Sequence, residues 1–184
     1  MTILPIVKQD ILTLTRLSED FDFDKPPQAP VELATNLVDT MLDAKGLGLA
    51  AIQVGLPYRV FVMRGNVNEK GNPEMFAFFN PKIVSCSNEY IRLEEGCLSW
   101  KGLIFNIDRP KDIRFRFTLP NNQTDTKMFT GLTARTILHE MTHLAGEVFW
   151  QGLPRYKIEK AIKRAKKKYG IDYEGKGLLK FCKD

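Results

Sequence analysis

The sequence predicts an α+β domain in which helices pack on antiparallel sheets. Three observations carry that prediction. Short β-favouring runs crowd residues 58–129, and segments of helical periodicity lie on either side of them. The composition is globular, with 43% hydrophobic and 27% charged residues, and 184 residues suit one domain. Residues 18–30 are acidic and then proline-rich, a connector. Pro30 suits the first turn of a helix, where its missing N–H is no loss. Val31, Ala34, Leu37, Val38, Met41 and Leu42 then recur at helical spacing, predicting an amphipathic helix over 31–45 that stops at Lys45-Gly46. Strands are predicted at Tyr58–Met63, Met75–Phe79, Ile83–Cys86, Tyr90–Leu93, Leu103–Ile107, Ile113–Leu119 and Thr126–Phe129. Turn chemistry at Gly71-Asn72-Pro73 and Pro120-Asn121-Asn122 separates some of them. Ala134, Ile137, Leu138, Met141, Leu144 and Ala145 form the apolar stripe of a helix over 132–145. A last helix, about 154–169, sets Ile158, Ala161, Ile162 and Ala165 on one face and lysines on the other.

Composition narrows the function classes. No apolar run reaches the roughly 18 residues of a membrane span, and the N-terminus shows neither a signal peptide nor a transit pattern. Three cysteines are too few and odd in number for a disulfide framework, so a cytoplasmic location is expected, or the interior of an organelle or a phage-infected cell. The net charge of +5 is uneven: residues 155–184 carry 11 Lys and Arg against 4 Asp and Glu, and the remainder 16 against 18. A basic tail is an electrostatic footprint for a polyanion or simply a solvated helix face. It lacks the aromatic interleaving that reads bases, so no sequence-specific nucleic-acid binding is expected.

The chemistry lies in the only two histidines, His139 and His143, within His139-Glu140-Met141-Thr142-His143. Spacing of i, i+4 stacks both imidazoles on one helix face, where they converge on one metal ion. Glu140 lies off that axis, where a general base for an activated water belongs. Two histidines fall four apart by chance roughly 1% of the time, and with Glu following the first, below about 0.1%, so accident is a poor explanation. A catalytic metal needs a third ligand and an open position. No further histidine exists, and Glu147, Glu159 and Glu174 are poorly placed downstream. The leading donor is Cys97, in Leu93-Glu94-Glu95-Gly96-Cys97-Leu98-Ser99, with Cys182 weaker. A thiolate with two imidazoles suits Zn²⁺ or Fe²⁺ and disfavours Ca²⁺ or Mg²⁺. In Gly46-Leu47-Gly48-Leu49-Ala50-Ala51-Ile52-Gln53, small residues allow close backbone approach, either to a ligand or within a packed turn. Gln53 is a lone amide in an apolar run, suited to donating to an oxyanion.

Gly46–Gln53, Glu95–Ser99 and His139–His143 together resemble the three motifs of the peptide deformylase family, in family order. The likeness continues through Leu103–Pro110 and Gly131–Arg135 and covers residues 1 to about 155. It implies antiparallel sheets packed around a central helix carrying His139-Glu140 and His143, with an N-terminal and a C-terminal helix. It implies a catalytic domain over 1–154, with 155–184 a basic helix and tail that is part of that domain or appended to it. By resemblance Cys97, His139 and His143 hold the metal, and Glu140 is the general base. Gln53 and the N–H of Leu98 stabilise the oxyanion. Leu47, Gly48 and Gly96 bind the substrate backbone, Leu132 lines the methionine pocket, and Glu95 pairs with Arg109. The implied reaction removes formate from N-terminal formyl-methionine of new polypeptides. Fe²⁺ is the implied native metal, with Zn²⁺, Ni²⁺ or Co²⁺ able to substitute, and the ribosome is an implied partner of the C-terminal helix. The chain departs from the family pattern at Ile52, Lys101, Leu138 and Thr142, where Pro, Pro, Gln and Asp are usual. A zinc endopeptidase that ignores Cys97, and an RNA-binding module with a structural metal, are the competing readings.

Overall fold

The computed structural model describes residues 2–67 and 73–183. A four-residue helix, α1 (Ile11–Leu14), is followed by α2 (Pro30–Asp43), β1 (Gly48–Ala50), a 3-10 turn (Ala51–Val54), β2 (Val60–Val67) and β3 (Pro73–Cys86). Then come β4 (Tyr90–Gly96), β5 (Ile104–Pro110), β6 (Asp112–Thr118), β7 (Thr124–Thr130), α3 (Gly131–Leu144), α4 (Arg155–Tyr169) and a second 3-10 turn (Leu178–Phe181). Five strands form an antiparallel sheet in the order β1-β2-β3-β6-β7, and β4 and β5 form a separate hairpin. The α+β class with antiparallel sheets is therefore as expected. No helix among the described residues is long and apolar enough to cross a membrane.

Period-2 alternation decides which helix covers which face of the large sheet. Phe61, Met63, Phe78, Phe115, Phe117 and Phe129 pack with Ala134, Ile137, Leu138 and Leu144 of α3. Val60, Val62 and Phe79 point the other way, to Leu33, Leu37 and Met41 of α2. A third cluster joins Trp100, Leu103 and Phe105 to Val148, Phe149 and Trp150, and to Ile158, Ala161, Ala165, Tyr173 and Leu178 of the C-terminal segment. The helix bearing both histidines is thus clamped between the sheet and the β4–β5 hairpin.

Several boundaries differ from expectation for identifiable reasons. Two strands expected at Met75–Phe79 and Ile83–Cys86 are one, β3, because Asn80-Pro81 forms a bulge rather than a turn; the register with β6 shifts between Phe79 and Lys82. Asn80 has φ 46, and its side chain secures the connector by accepting from Phe21 N–H (2.7 Å) and donating to Phe21 carbonyl (2.9 Å). At the end of α2 the left-handed residue is Lys45, φ 56, not Gly46. Gly46 is needed for space: a Cβ there would lie 2.8 Å from Leu98 Cδ1. The turn expected at Gly71-Asn72-Pro73 falls on residues 71–72, outside the described residues, and Pro73 already belongs to β3.

Candidate active site

The site forms where β4 runs out beside α3. Gly96 ends β4 and delivers Cys97 to the helix face that carries His139 and His143. Cys97 Sγ lies 3.3 Å from His143 Nε2, and the ligand atoms of Cys97, His139 and His143 lie within 4.8 Å of one another. Glu140, on the same helix, is buried, and its Oε2 has no hydrogen-bond partner. His143 Nδ1 is likewise without one. Glu147, Glu159 and Glu174 do not join this cluster, and among the described residues it has three ligands rather than the four of a closed structural zinc site.

Electrostatics support a cation here. Burial pushes the Cys97 thiol up to about 12, and the nearby Glu140 carboxylate adds to the rise. The thiolate form therefore needs a positive charge beside it. Burial also keeps His143 neutral, with a pKa well below its ordinary value, as a metal ligand requires. The Glu140 carboxyl is raised to about 8, first by burial and then by the charge of Glu95. Three soft and borderline donors converging on one point, with an unpartnered carboxyl oxygen beside them, fit Zn²⁺ or Fe²⁺.

Behind the ligands sits a charge network centred on Glu95. Arg109 forks onto it, Nε to Oε1 at 3.0 Å and Nη2 to Oε2 at 2.9 Å. Arg135 Nη1 donates to Oε1 at 2.6 Å, and His139 Nδ1 meets Oε2 at 3.0 Å. The expected Glu95–Arg109 pair is therefore present, but as half of a buried hub rather than a surface pair. Burial alone would raise the Glu95 carboxyl; hydrogen bonds from His139 and Arg109 and their charges outweigh it and hold it at about 2. Binding of Nδ1 by a carboxylate leaves His139 Nε2 for the metal and fixes the ring plane.

Arg135 is the residue that sequence reasoning missed. It also donates to the carbonyls of Ile107 and Ile91, tying the β4–β5 hairpin to α3. The signal available was a lone arginine within an apolar helical stripe. Thr142, one of the departures noted in the sequence, serves the network, since its hydroxyl accepts from Arg109 Nη1 at 3.2 Å.

A cleft of about 340 Å³ opens onto Cys97 and His139, lined also by Leu47, Gly48, Gln53, Glu95, Gly96, Leu98, Leu132 and Glu140. Gln53 turns its Oε1 to the Ala50 N–H at 2.9 Å, which aims its Nε2 at Cys97 Sγ (3.4 Å) and Ser99 Oγ (3.3 Å). Gly48 has no room for a side chain: a Cβ would lie 2.8 Å from Glu140 Cδ. Leu47 and Leu132 stand half-exposed at the rim. Two expected residues do not line the cleft: Arg109 acts from behind Glu95, and His143 is buried beside Cys97.

Known proteins resemble this chain in sequence and fold. The family model for polypeptide deformylase matches residues 3–159. The chain belongs to that family. A peptide deformylase from Wolbachia pipientis wMel is 38% identical over 175 residues, covering 91% of this chain and 96% of its own. Among solved structures, a peptide deformylase from Legionella pneumophila matches with a TM-score of 0.80 at 28% identity, over 90% of this chain and 95% of that one. The Met-ala-ser bound class I type b peptide deformylase from Acinetobacter baumannii matches with a TM-score of 0.72 at 26% identity, over 80% and 96%. Peptide deformylases are metal-dependent hydrolases that remove the N-formyl group from nascent peptides, and this chain is an enzyme of that class.

Proposed function

We propose that Cys97, His139 and His143 hold the metal for deformylation and that Glu140 moves the proton. The convergence of these three donors beside the unpartnered Glu140 carboxyl carries the reading. A divalent cation bound there supplies Lewis acidity and a water acidic enough to attack near neutral pH. Glu140, a carboxyl raised towards neutrality, takes the proton of the attacking water and returns it to the leaving amine. Gln53 Nε2 and the Leu98 N–H donate to the oxyanion that develops on the formyl oxygen, where they act most strongly in the transition state. The peptide lies as an added strand between Leu47-Gly48 and Gly96. One observation favouring that pose is that, among the described residues, β1 pairs only with β2, and its first residue Gly48 lines the cleft. Leu132 contributes to the methionine pocket.

Formate release from formyl-Met-Ala-Ser tests the assignment. Glu140→Ala should lower kcat by roughly 10²–10⁴-fold with metal retained, whereas Cys97→Ala should lose metal as well as activity. Full activity in either variant would remove that residue from its role. Fe²⁺ is the proposed native ion, so anaerobically purified protein should contain iron and outperform the zinc form. Equal rates with zinc would count against iron.

We also infer a cytoplasmic enzyme that meets new chains at the ribosome through α4. Charge on that helix is uneven. Lys166 is answered by Asp172 (2.8 Å) and Glu174 (3.6 Å), and Arg155 by Glu159 (3.0 Å). Lys157, Lys160 and Arg164 instead join Arg92 around a groove between β5 and α4, a phosphate-attracting flank. Deleting residues 155–184 would strip the third core cluster, so charge reversal is the cleaner test. Lys157→Glu, Lys160→Glu and Arg164→Glu together should weaken salt-sensitive ribosome co-sedimentation and spare turnover of the short peptide. Unchanged sedimentation would end the tether reading.

A further inference from the structure

We propose that the C-terminal tail positions the Cys97 loop for metal binding, with Tyr173 as the positioning residue. The proposal rests on Cys97 being a metal ligand. Residues 97–103 form no regular element, so the place of the thiol depends on where the loop's backbone groups bond. Two of its carbonyls bond inside the loop: Trp100 N–H donates to Cys97 carbonyl at 3.2 Å, and Leu103 N–H to Trp100 carbonyl at 3.1 Å. Two bond outside it. Gln9 N–H donates to the Ser99 carbonyl at 3.1 Å, and the Tyr173 hydroxyl donates to the Lys101 carbonyl at 2.7 Å, across 72 residues of chain.

The same tail fills the space behind the loop. Trp100 is 1% exposed; it meets Trp150 edge-on at 5.1 Å and Tyr173 at 6.1 Å. Helix α4 closes on the next turn, where Gly102 has φ +84 and a Cβ would lie 2.7 Å from Tyr169 Cδ2. Neither the turn nor the contact admits a side chain at that position. The tail is itself anchored next to α3. Gly152 N–H donates to Phe181 carbonyl at 2.8 Å, Lys183 N–H to Leu153 carbonyl at 3.0 Å, and the Trp150 indole N–H to Leu178 carbonyl at 3.4 Å. Packing therefore runs unbroken from the histidine helix through residues 148–154 and the tail to the cysteine loop. A chain ending at 154 would keep every ligand and lose the donor to Lys101 and the cover over Trp100. By this account residues 155–184 are part of the catalytic unit.

The test uses cobalt-loaded full-length enzyme. Tyr173→Phe keeps the ring against Trp100 and removes only the donor. It should release metal to a chelator roughly ten-fold faster than wild type, as loss of groups that orient a ligand generally does. It should also weaken the thiolate-to-cobalt absorption band and lower kcat with KM unchanged. Leu33→Ala, in the α2 core on the other face of the large sheet, is the structural control. It should lower Tm through lost burial yet leave the release rate within about two-fold of wild type. A wild-type release rate in Tyr173→Phe would overturn the proposal. So would release that merely follows the loss of Tm across both variants. Cys97→Ala separates the two readings. If it keeps metal as wild type does, the ligand assignment falls and this proposal with it. If it loses metal while Tyr173→Phe is indifferent, only the role of the tail falls.

Discussion

Two sides of one cleft are held by different forces. On the α3 side, Glu95 gathers Arg109, Arg135 and His139 within 3.0 Å of its oxygens, and a bidentate guanidinium fixes direction as well as distance. On the cysteine side, residues 97–103 are set by backbone bonds and by aromatic rings closed around Trp100. His139 is oriented by a charged acceptor, whereas His143 Nδ1 has no partner and its ring is placed by burial and by the 3.3 Å contact of its Nε2 with Cys97 Sγ. The difference teaches that a metal site can combine a directional, titratable brace with a volumetric one. The first should respond to pH and to loss of charge, and the second to loss of volume.

The largest effect should come from breaking the charged side. Glu95→Gln leaves Arg109 and Arg135 without their carboxylate in a buried setting, and removal of one partner of such a network costs about 3–5 kcal/mol. Denaturant unfolding of the variant beside wild type measures this. A loss below about 1 kcal/mol would mean that the network orients groups without stabilising the fold.

The same pair of proteins yields the pH dependence. The Glu95 carboxyl is held at about 2 against an ordinary value of 4.5. A depressed carboxylate contributes stability that is fully present above the ordinary value and is lost as pH falls through the depressed one. The gap between wild type and Glu95→Gln should therefore shrink by about 3 kcal/mol between pH 5 and pH 2. Groups that do not feel Glu95 cancel, and Glu140, which does, is raised to about 8, above this range. A constant gap over that range would show that Glu95 is not the group titrating. On the aromatic side, Trp150→Phe should cost roughly 2 kcal/mol through lost volume and the lost indole donor. That cost should stay flat over the same pH range, and a slope matching that of Glu95 would dissolve the distinction between the two braces.

Legibility divides along the same line. His139, Glu140 and His143 were readable because helical spacing is local information, and Cys97 because an incomplete ligand set called for a thiolate. The position of β1 was not readable: Gly48, Leu49 and Ala50 are all buried, so no alternation marks the strand. Helix α1 is four residues long, too short for periodicity, and is marked only by its cap, Asp10, which accepts from Leu12 and Thr13 N–H. Arg135 pairs with Glu95 across 40 residues, and Tyr173 reaches Lys101 across 72. Both partnerships arise only when separate elements meet, and nothing in the neighbouring residues announces them. On the last helix Ile158, Ala161 and Ala165 are readable as an apolar face from their spacing, whereas Tyr173 and Leu178 join the same core from a segment without periodicity.

The smallest effect concerns Thr142, a hydroxyl at the position where the motif resemblance leads to an expectation of Asp. Its Oγ1 accepts from Arg109 Nη1 at 3.2 Å and donates to the Leu138 carbonyl at 2.9 Å. Thr142→Asp would give Arg109 a charged acceptor at the cost of the bond to Leu138. It would also place a second carboxylate near Glu95. Charge-assisted hydrogen bonds are stronger than neutral ones, yet Thr142 is only half-buried, so the gain should be about 0.5–1 kcal/mol at low salt and should fade as ionic strength rises. Thermal unfolding at two salt concentrations reads it directly. A gain indifferent to salt would point to packing rather than charge. A loss would mean that repulsion from Glu95 prevails and that the hydroxyl is the better partner for an arginine already bound twice.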